Sequence, residues 1–178
     1  MRDTAEAAAL VRAAGSVRRD HCRLIFKLDG NTLALTNVQS DDDRAVKYTY
    51  AGPTGQFQLV EVGYYEGGAY MLVEPDGVHI LVAGPPTFSP DSSRFPSLSM
   101  DLDAGYNPNE VQIWRVHNGH PRLEFAVTSG EWGPSNAEWA GSDTLYFEQK
   151  FPTSSIRVYR TQRARLVYSG RGWTLSVM

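Results

Sequence analysis

The sequence predicts an all-β fold: a propeller-like array of about three to four blades of antiparallel strands, with a short N-terminal helix. Three observations carry this expectation. After Val17 the chain breaks into short runs of β-branched and aromatic residues separated by Gly, Pro, Asp and Asn. Hairpin-like segments return at a spacing of 42 to 45 residues, and a phrase of an aromatic, a small residue and a proline occurs twice.

The predicted helix covers residues 4–14. Asp3 and Glu6 stand in a D-x-x-E relation resembling a capping box, and Gly15 is placed to stop the helix. Its face is mostly alanine, with Leu10 and Val11 as weak anchors. Residues 1–21 read as this helix and a linker, and 22–178 as a single β domain.

The first predicted strands are RLIFKL (23–28) and TLALTN (32–37), joined by a tight turn at Asp29-Gly30-Asn31. AVKYTY (45–50), FQLVEV (57–62), AYMLV (69–73) and VHILVA (78–83) follow. The second half offers VQIWRV (111–116), RLEFAV (122–127), TLYFEQ (144–149), IRVYR (156–160), RLVYS (165–169) and WTLSV (173–177).

Self-alignment supplies the repeat. Met71-Leu72 matches Ile113-Trp114 at an offset of 42, and Asp76-Gly77 matches Asn118-Gly119 at the same offset. A third copy is expected in 156–170, where Val158-Tyr159 lies 45 residues beyond Ile113-Trp114. FSPDSSRF (88–95) and WGPSNAEW (132–139) begin 44 residues apart. A period of this length with several strands per unit is that of a propeller blade.

On PTFSPDSSRF followed by VQIWRV, the chain resembles the WD-repeat-like propeller superfamily, and more closely the branch with FSPDG phrases, as in the propeller of the bacterial Tol system. The resemblance spans roughly residues 57–169 on the repeat spacing. Ser92 stands where the phrase usually has glycine, and Arg115 follows Trp114 where a WD repeat has aspartate. The resemblance implies radially arranged four-stranded sheets with loops on two faces and a central channel, and it carries no catalytic residues. Propellers of this kind serve mostly as interaction platforms, although enzymes also occur on them.

Residues 22–178 hold only about three and a half such units, fewer than the usual 4 to 8 blades. WTLSV could complete a fourth blade by pairing with RLIFKL and TLALTN. A half-propeller with a covered edge is the other expectation within one chain. A homodimer through open blade edges is the alternative to both.

Composition narrows the partners. The 178 residues are 42% hydrophobic and 21% charged, as in an ordinary globular domain. Seventeen basic and twenty acidic residues leave a net charge of −3 without a basic block, so nucleic acid is not an expected partner. No run approaches the roughly 20 apolar residues of a membrane span, so a soluble chain is expected. Glu6 and Arg12 interrupt any secretory apolar region. Cytoplasmic and signal-removed periplasmic or secreted locations both stay open. Cys22 is the single cysteine, which excludes an intrachain disulfide.

Two groups of residues are candidates for binding. Tyr64, Tyr65, Tyr106 and Trp132 fall in or beside predicted loops, where amphipathic rings suit a protein or peptide partner. In DLDAGYNPNE, the oxygens of Asp101, Asp103, Asn107, Asn109 and Glu110 offer a calcium site, calcium being the one cofactor the sequence raises. EF-hand spacing fails there, and Asp101 accepting backbone N–H groups in a structured loop is the competing reading. The sequence contains no G-x-S-x-G elbow, P-loop or G-x-G-x-x-G segment. The expected role is therefore a noncatalytic binding module. A calcium-stabilised binding domain is one alternative, and a hydrolase or lyase with a carboxylate site in the central channel is the other.

Overall fold

The computed structural model describes residues 4–155 and 157–178. The protein is all-β apart from one helix, and it divides between Val82 and Ala83 into two compact units. Each unit holds two antiparallel sheets of three or four strands, and no sheet closes on itself.

In the first unit, helix α1 (Thr4–Arg12) leads into a three-stranded sheet of β1 (Val17–Asp20), β2 (Arg23–Leu28) and β3 (Asn31–Thr36), in the order β1-β2-β3. The residues between Leu28 and Asn31 form the expected tight turn, with Gly30 at φ 73°. Asp3, the predicted cap, lies outside the described residues. The helix is also shorter than the sequence predicts. Ala9 is its buried residue and Leu10 packs against the core, whereas Val11 is exposed, because alanine alone lets the helix approach a strand closely.

That strand is β4 (Val46–Thr54), the edge of a sheet with β5 (Phe57–Tyr64), β6 (Gly68–Val73) and β7 (His79–Val82), ordered β4-β5-β6-β7. A bulge between Tyr50 and Gly52 turns the edge toward the helix. Gly52 adopts φ 123°, and an added Cβ there would meet Ala9 and Arg12. The core draws on both sheets and the helix: Leu24 and Phe26 from β2, Leu35 from β3, Tyr50 from β4, Val60 and Val62 from β5, and Met71 and Val73 from β6.

Side chains occupy the outer edge of β4. The Glu6 carboxylate accepts the Tyr50 N–H at 2.8 Å and pairs with the half-buried Arg19 guanidinium. Arg19 also donates to the Tyr48 carbonyl at 2.6 Å, and the Tyr48 N–H donates to Asn37 Oδ1 at 2.8 Å. Val46 exchanges backbone bonds with Val38 at 2.9 and 3.0 Å. Val46, Tyr48 and Tyr50 of this edge thus find partners inside their own unit.

The second unit begins with β8 (Arg94–Ser99), β9 (Glu110–His117) and β10 (His120–Thr128), in the order β10-β9-β8. The remaining sheet is β11 (Gly133–Trp139), β12 (Thr144–Pro152), β13 (Tyr159–Tyr168) and β14 (Trp173–Val177), in chain order. Its core joins Val111 and Ile113 of β9 to Leu145, Phe147, Ala164 and Leu166. Gly84 meets β8 so closely that an added Cβ would lie 2.1 Å from the Leu98 carbonyl. Ser97 Oγ accepts the Gly84 N–H at 2.7 Å and donates to its carbonyl at 2.8 Å.

The predicted repeat holds in one place and fails in two. β6–β7 and β9–β10 are both hairpins, turning at Asp76-Gly77 and Asn118-Gly119. The third copy is no hairpin: IRVYR and RLVYS merge into the single ten-residue strand β13, paired along its length with β12. No Gly, Pro or Asn interrupts 159–168, so nothing turns the chain there. Ile156 lies outside the described residues. The phrase pair also separates: 88–93 is largely a turn, whereas 133–139 is itself the strand β11. β11 is an edge, where Pro134 costs no ladder bond. The expected pairing of WTLSV with 23–28 and 32–37 is replaced by β14 pairing with β13.

The FSPD turn owes its shape to Asp91. Its carboxylate accepts Ser89 Oγ–H at 2.7 Å, Ser93 Oγ–H at 2.9 Å and the Ser93 N–H at 3.1 Å. Ser92, in the place of the usual glycine, sits at φ 58°. After the turn, Phe95 packs between Phe88 and Trp114.

Arg94 then ties the two sheets of this unit. With its side chain 8% exposed, it donates to Glu124 and Asp143, each at 2.8 Å, and to the Ser142 carbonyl at 3.2 Å. Its guanidinium lies 4.4 Å from the Tyr168 ring centre and 5.6 Å from that of Trp173. Trp173 Nε1 donates to the same Glu124 oxygen at 3.2 Å. Burial works to raise the Glu124 carboxyl. The bonds from Arg94 and Trp173 and the charges of Arg94 and Arg115 outweigh it and hold the group below its ordinary value.

Replacing Ser92 by glycine removes a left-handed serine and is expected to stabilise the protein by about 0.5–1 kcal/mol in urea unfolding. Arg94→Met removes the nearer cation of the mostly buried Glu124, leaving it Arg115 at 3.5 Å, and is expected to cost about 3 kcal/mol. The double variant Arg94→Met, Glu124→Leu is expected to recover most of that loss, which the same unfolding curves would show.

Candidate functional site

The first unit contains an open cleft of about 900 Å³, and the turn chemistry of three connections builds it. Asp20 pairs with Arg23, so His21 and Cys22 form a two-residue turn, with His21 at φ 51°. Cys22 is exposed, and His21 Nδ1 lies 2.9 Å from the Asp20 carboxylate. The two are therefore turn residues.

The second wall is the 37–47 connection. The Asn37 N–H donates to the Cys22 carbonyl at 2.8 Å, and the Val38–Val46 bridge closes the base of the loop. Within it, Asp42 accepts Ser40 Oγ–H at 2.5 Å and the Arg44 N–H at 3.0 Å, and pairs with the Arg44 guanidinium at 2.8 Å. The Arg44 side chain above all, with Ser40 and the Arg44 N–H, holds the Asp42 carboxyl down at about 2. Asp42 is thus bonded within its own loop, and Ser40, Asp41 and Lys47 line the cleft.

The third wall is the end of β5. Gly63 pairs with Gly68, and the Tyr64 N–H donates to the Gly67 carbonyl at 3.2 Å, which leaves Tyr64-Tyr65-Glu66-Gly67 as the turn. Both tyrosines of this turn are presented outward, Tyr64 at 42% and Tyr65 at 59% exposure, and Tyr64 lines the cleft. The open trough is thus lined by an aromatic ring, a lysine, a carboxylate and two amide side chains.

Tyr106 and Trp132 belong to the second unit. Tyr106 is 57% exposed on the loop between β8 and β9. Trp132 is half-buried, its ring 5.9 Å from that of Phe147, and it packs on the core. Its surroundings are those of a packing residue, which its loop position in the sequence did not reveal. Lys47 and Asn37 are cleft residues that sequence reasoning missed. Neither lies in a recognisable phrase, and only the register of β4 brings them to Tyr64.

The proposed calcium ligands lie in that second-unit loop. The Asp101 carboxylate accepts the Tyr106 N–H at 2.8 Å, the Asn107 N–H at 2.9 Å and the Ala104 N–H at 3.2 Å. These donors, the Asn107 N–H foremost, keep it below its ordinary value. Asn109 Oδ1 accepts the Asp101 N–H at 2.7 Å, Asp103 accepts the Tyr159 hydroxyl at 2.6 Å, and Glu110 sits in the ladder of β9. Among the described residues, Asp101, Asp103 and Glu110 do not converge as a ligand group. Asp101 and Asn109 thus spend their oxygens on donors of the loop itself, and Asp103 spends one on Tyr159 of β13.

Each carboxyl with a resolved shift, namely Asp20, Asp42, Asp91, Asp101 and Glu124, is shifted downward. A general acid at neutral pH needs the opposite shift. Among the described residues, no helix is long and apolar enough to cross a membrane. Compared with protein-family models, curated proteins and solved structures, the chain has no match.

Asp101→Ala is expected to lower stability by about 1–2 kcal/mol through loss of its backbone donors' partner, with millimolar calcium leaving the melting temperature of the native protein unchanged. A calcium-dependent rise in melting temperature that this substitution abolishes would instead assign the loop to an ion.

Proposed function

We propose that the protein is a noncatalytic binding module for a protein segment or peptide, on a WD-repeat-like propeller scaffold, with the Tyr64–Tyr65 turn and its adjoining cleft as the contact surface. The observation that carries this reading is the exposure of two adjacent tyrosines, the first of which lines an open trough of mixed polarity. Rings of this kind dominate binding energy where they can be desolvated, because they bury large area at little cost in side-chain entropy.

The cleft walls support an extended ligand. Gly63, Lys47 and Ala45 bring backbone and an aliphatic stem to the lining, and Asn37 and Gln39 supply amide donors and acceptors. Lys47 and Asp41 give the trough one charge of each sign, which sets a direction for a bound chain carrying both. The turn is anchored by the β5–β6 ladder, so the rings are presented on a framework that needs little reordering.

A random-peptide display selection on the native protein is expected to yield binders that perturb the backbone resonances of residues 37–47 and 63–65. Tyr64→Ala with Tyr65→Ala is expected to weaken those binders by about thirty-fold, while Tyr106→Ala leaves them unchanged. Equal affinity for the double variant and the native protein would overturn the assignment of the surface.

A further inference from the structure

We propose that a second copy of this chain pairs with β14, joining two four-stranded sheets of the second unit into one continuous antiparallel sheet across a two-fold axis at Leu175. The inference begins with the edges of the sheets. A natural edge strand is usually protected by charge, proline, a bulge, shortness or a side chain that takes its backbone groups.

Seven of the eight edges here carry such a device. β1 is four residues long and has Arg18, Arg19 and Asp20. On β3, Asn31 Oδ1 accepts the outward Thr32 N–H at 2.6 Å. β4 is occupied by Glu6, Arg19, Asn37 and Val38. β7 has four residues, and β8 contains Arg94 and Pro96. β10 carries Pro121, Arg122, Glu124 and a bulge, and β11 carries Pro134, Glu138 and a bulge.

β14, Trp173–Val177, has none of these devices. The Met178 N–H donates to Arg163 and the Gly172 carbonyl accepts from Ser169, so the even-numbered residues face β13. Alternation then turns the N–H and C=O of Trp173, Leu175 and Val177 away from it. These outward groups have no partner among the described residues.

The same segment is complementary to itself. Antiparallel pairing centred on Leu175 sets Trp173 opposite Val177 of the other copy and Leu175 opposite its own equivalent, and each opposed pair exchanges both N–H···O bonds. No charged side chain lies in 173–178 to oppose this register. Trp173 and Leu175 lie on the core side of the strand, and Val177, 53% exposed, would gain the partner's Trp173 as its neighbour. Thr174 would stand opposite Ser176 of the other copy on the far face.

That last pairing supplies the test. Sedimentation equilibrium of the native protein up to about 1 mM is expected to show a reversible dimer. Thr174→Lys with Ser176→Lys places like charges opposite one another twice across the axis and is expected to weaken dimerisation by about ten-fold or more. Thr174→Glu with Ser176→Lys places opposite charges in the same positions and is expected to restore or tighten it. Unfolding curves for both variants establish that each chain is folded. A native protein that stays monomeric throughout overturns the proposal, as does a dimer of equal strength in both charge variants.

Discussion

An open antiparallel sheet leaves a row of hydrogen-bonding groups along each edge, and the disposal of those groups governs how this chain is built. With two small sheets in each unit, edges are numerous relative to core. Side chains distant in sequence therefore have to complete what strands leave unfinished. Glu6 reaches across 44 residues to the Tyr50 N–H, and Arg19 across 29 to the Tyr48 carbonyl. The bulge between Tyr50 and Gly52 and the close approach of Ala9 accompany that contact of carboxylate and amide.

Both units repeat one solution to a second problem, the joining of two sheets that share no ladder. Each unit places a glutamate and an arginine, mostly withdrawn from water, where its sheets approach: Glu6 of α1 with Arg19 of β1 against β4, and Arg94 with Glu124 of its own sheet, from which Arg94 also reaches Asp143 of the other. Such a pair is weak as a source of net stability but strict about geometry, because misplacing either member leaves a charge buried alone. In the second unit the aromatic rings of Tyr168 and Trp173 flank the guanidinium and make the arrangement stricter still. The cleft and its tyrosines depend on comparable precision, since Asn37 contacts both the Cys22 turn and β4.

What the sequence made legible was local. Asp29-Gly30 and Asn118-Gly119 turn where their dipeptides say they should, and the alternating runs became strands within a few residues of their expected bounds. VRRD, RFPSLS and GPSNAEW escaped notice because each is an edge strand, carrying the charges and prolines that mark loops elsewhere. The break expected between IRVYR and RLVYS came from forcing a hairpin period onto polar residues that tolerate an extended strand equally well. Tyr64, Tyr65 and Tyr106 could be picked out by their loop positions, whereas the cleft beside Tyr64 could not. Its walls come from residues 21–22, 37–47 and 63–64, and only strand register brings them together.

The guarding of β4 by α1 also bears on how the chain is made. The helix and Arg19 precede β4 in the chain, so during synthesis the residues that will cover its edge leave the ribosome before the edge exists. When the β4–β5 hairpin forms, its cover is already present at high local concentration on the same polypeptide. Unfinished strand edges on neighbouring nascent chains must compete with an intramolecular partner. Chain order thus acts as a kinetic safeguard against aggregation at the stage when half-made β proteins are most exposed to it.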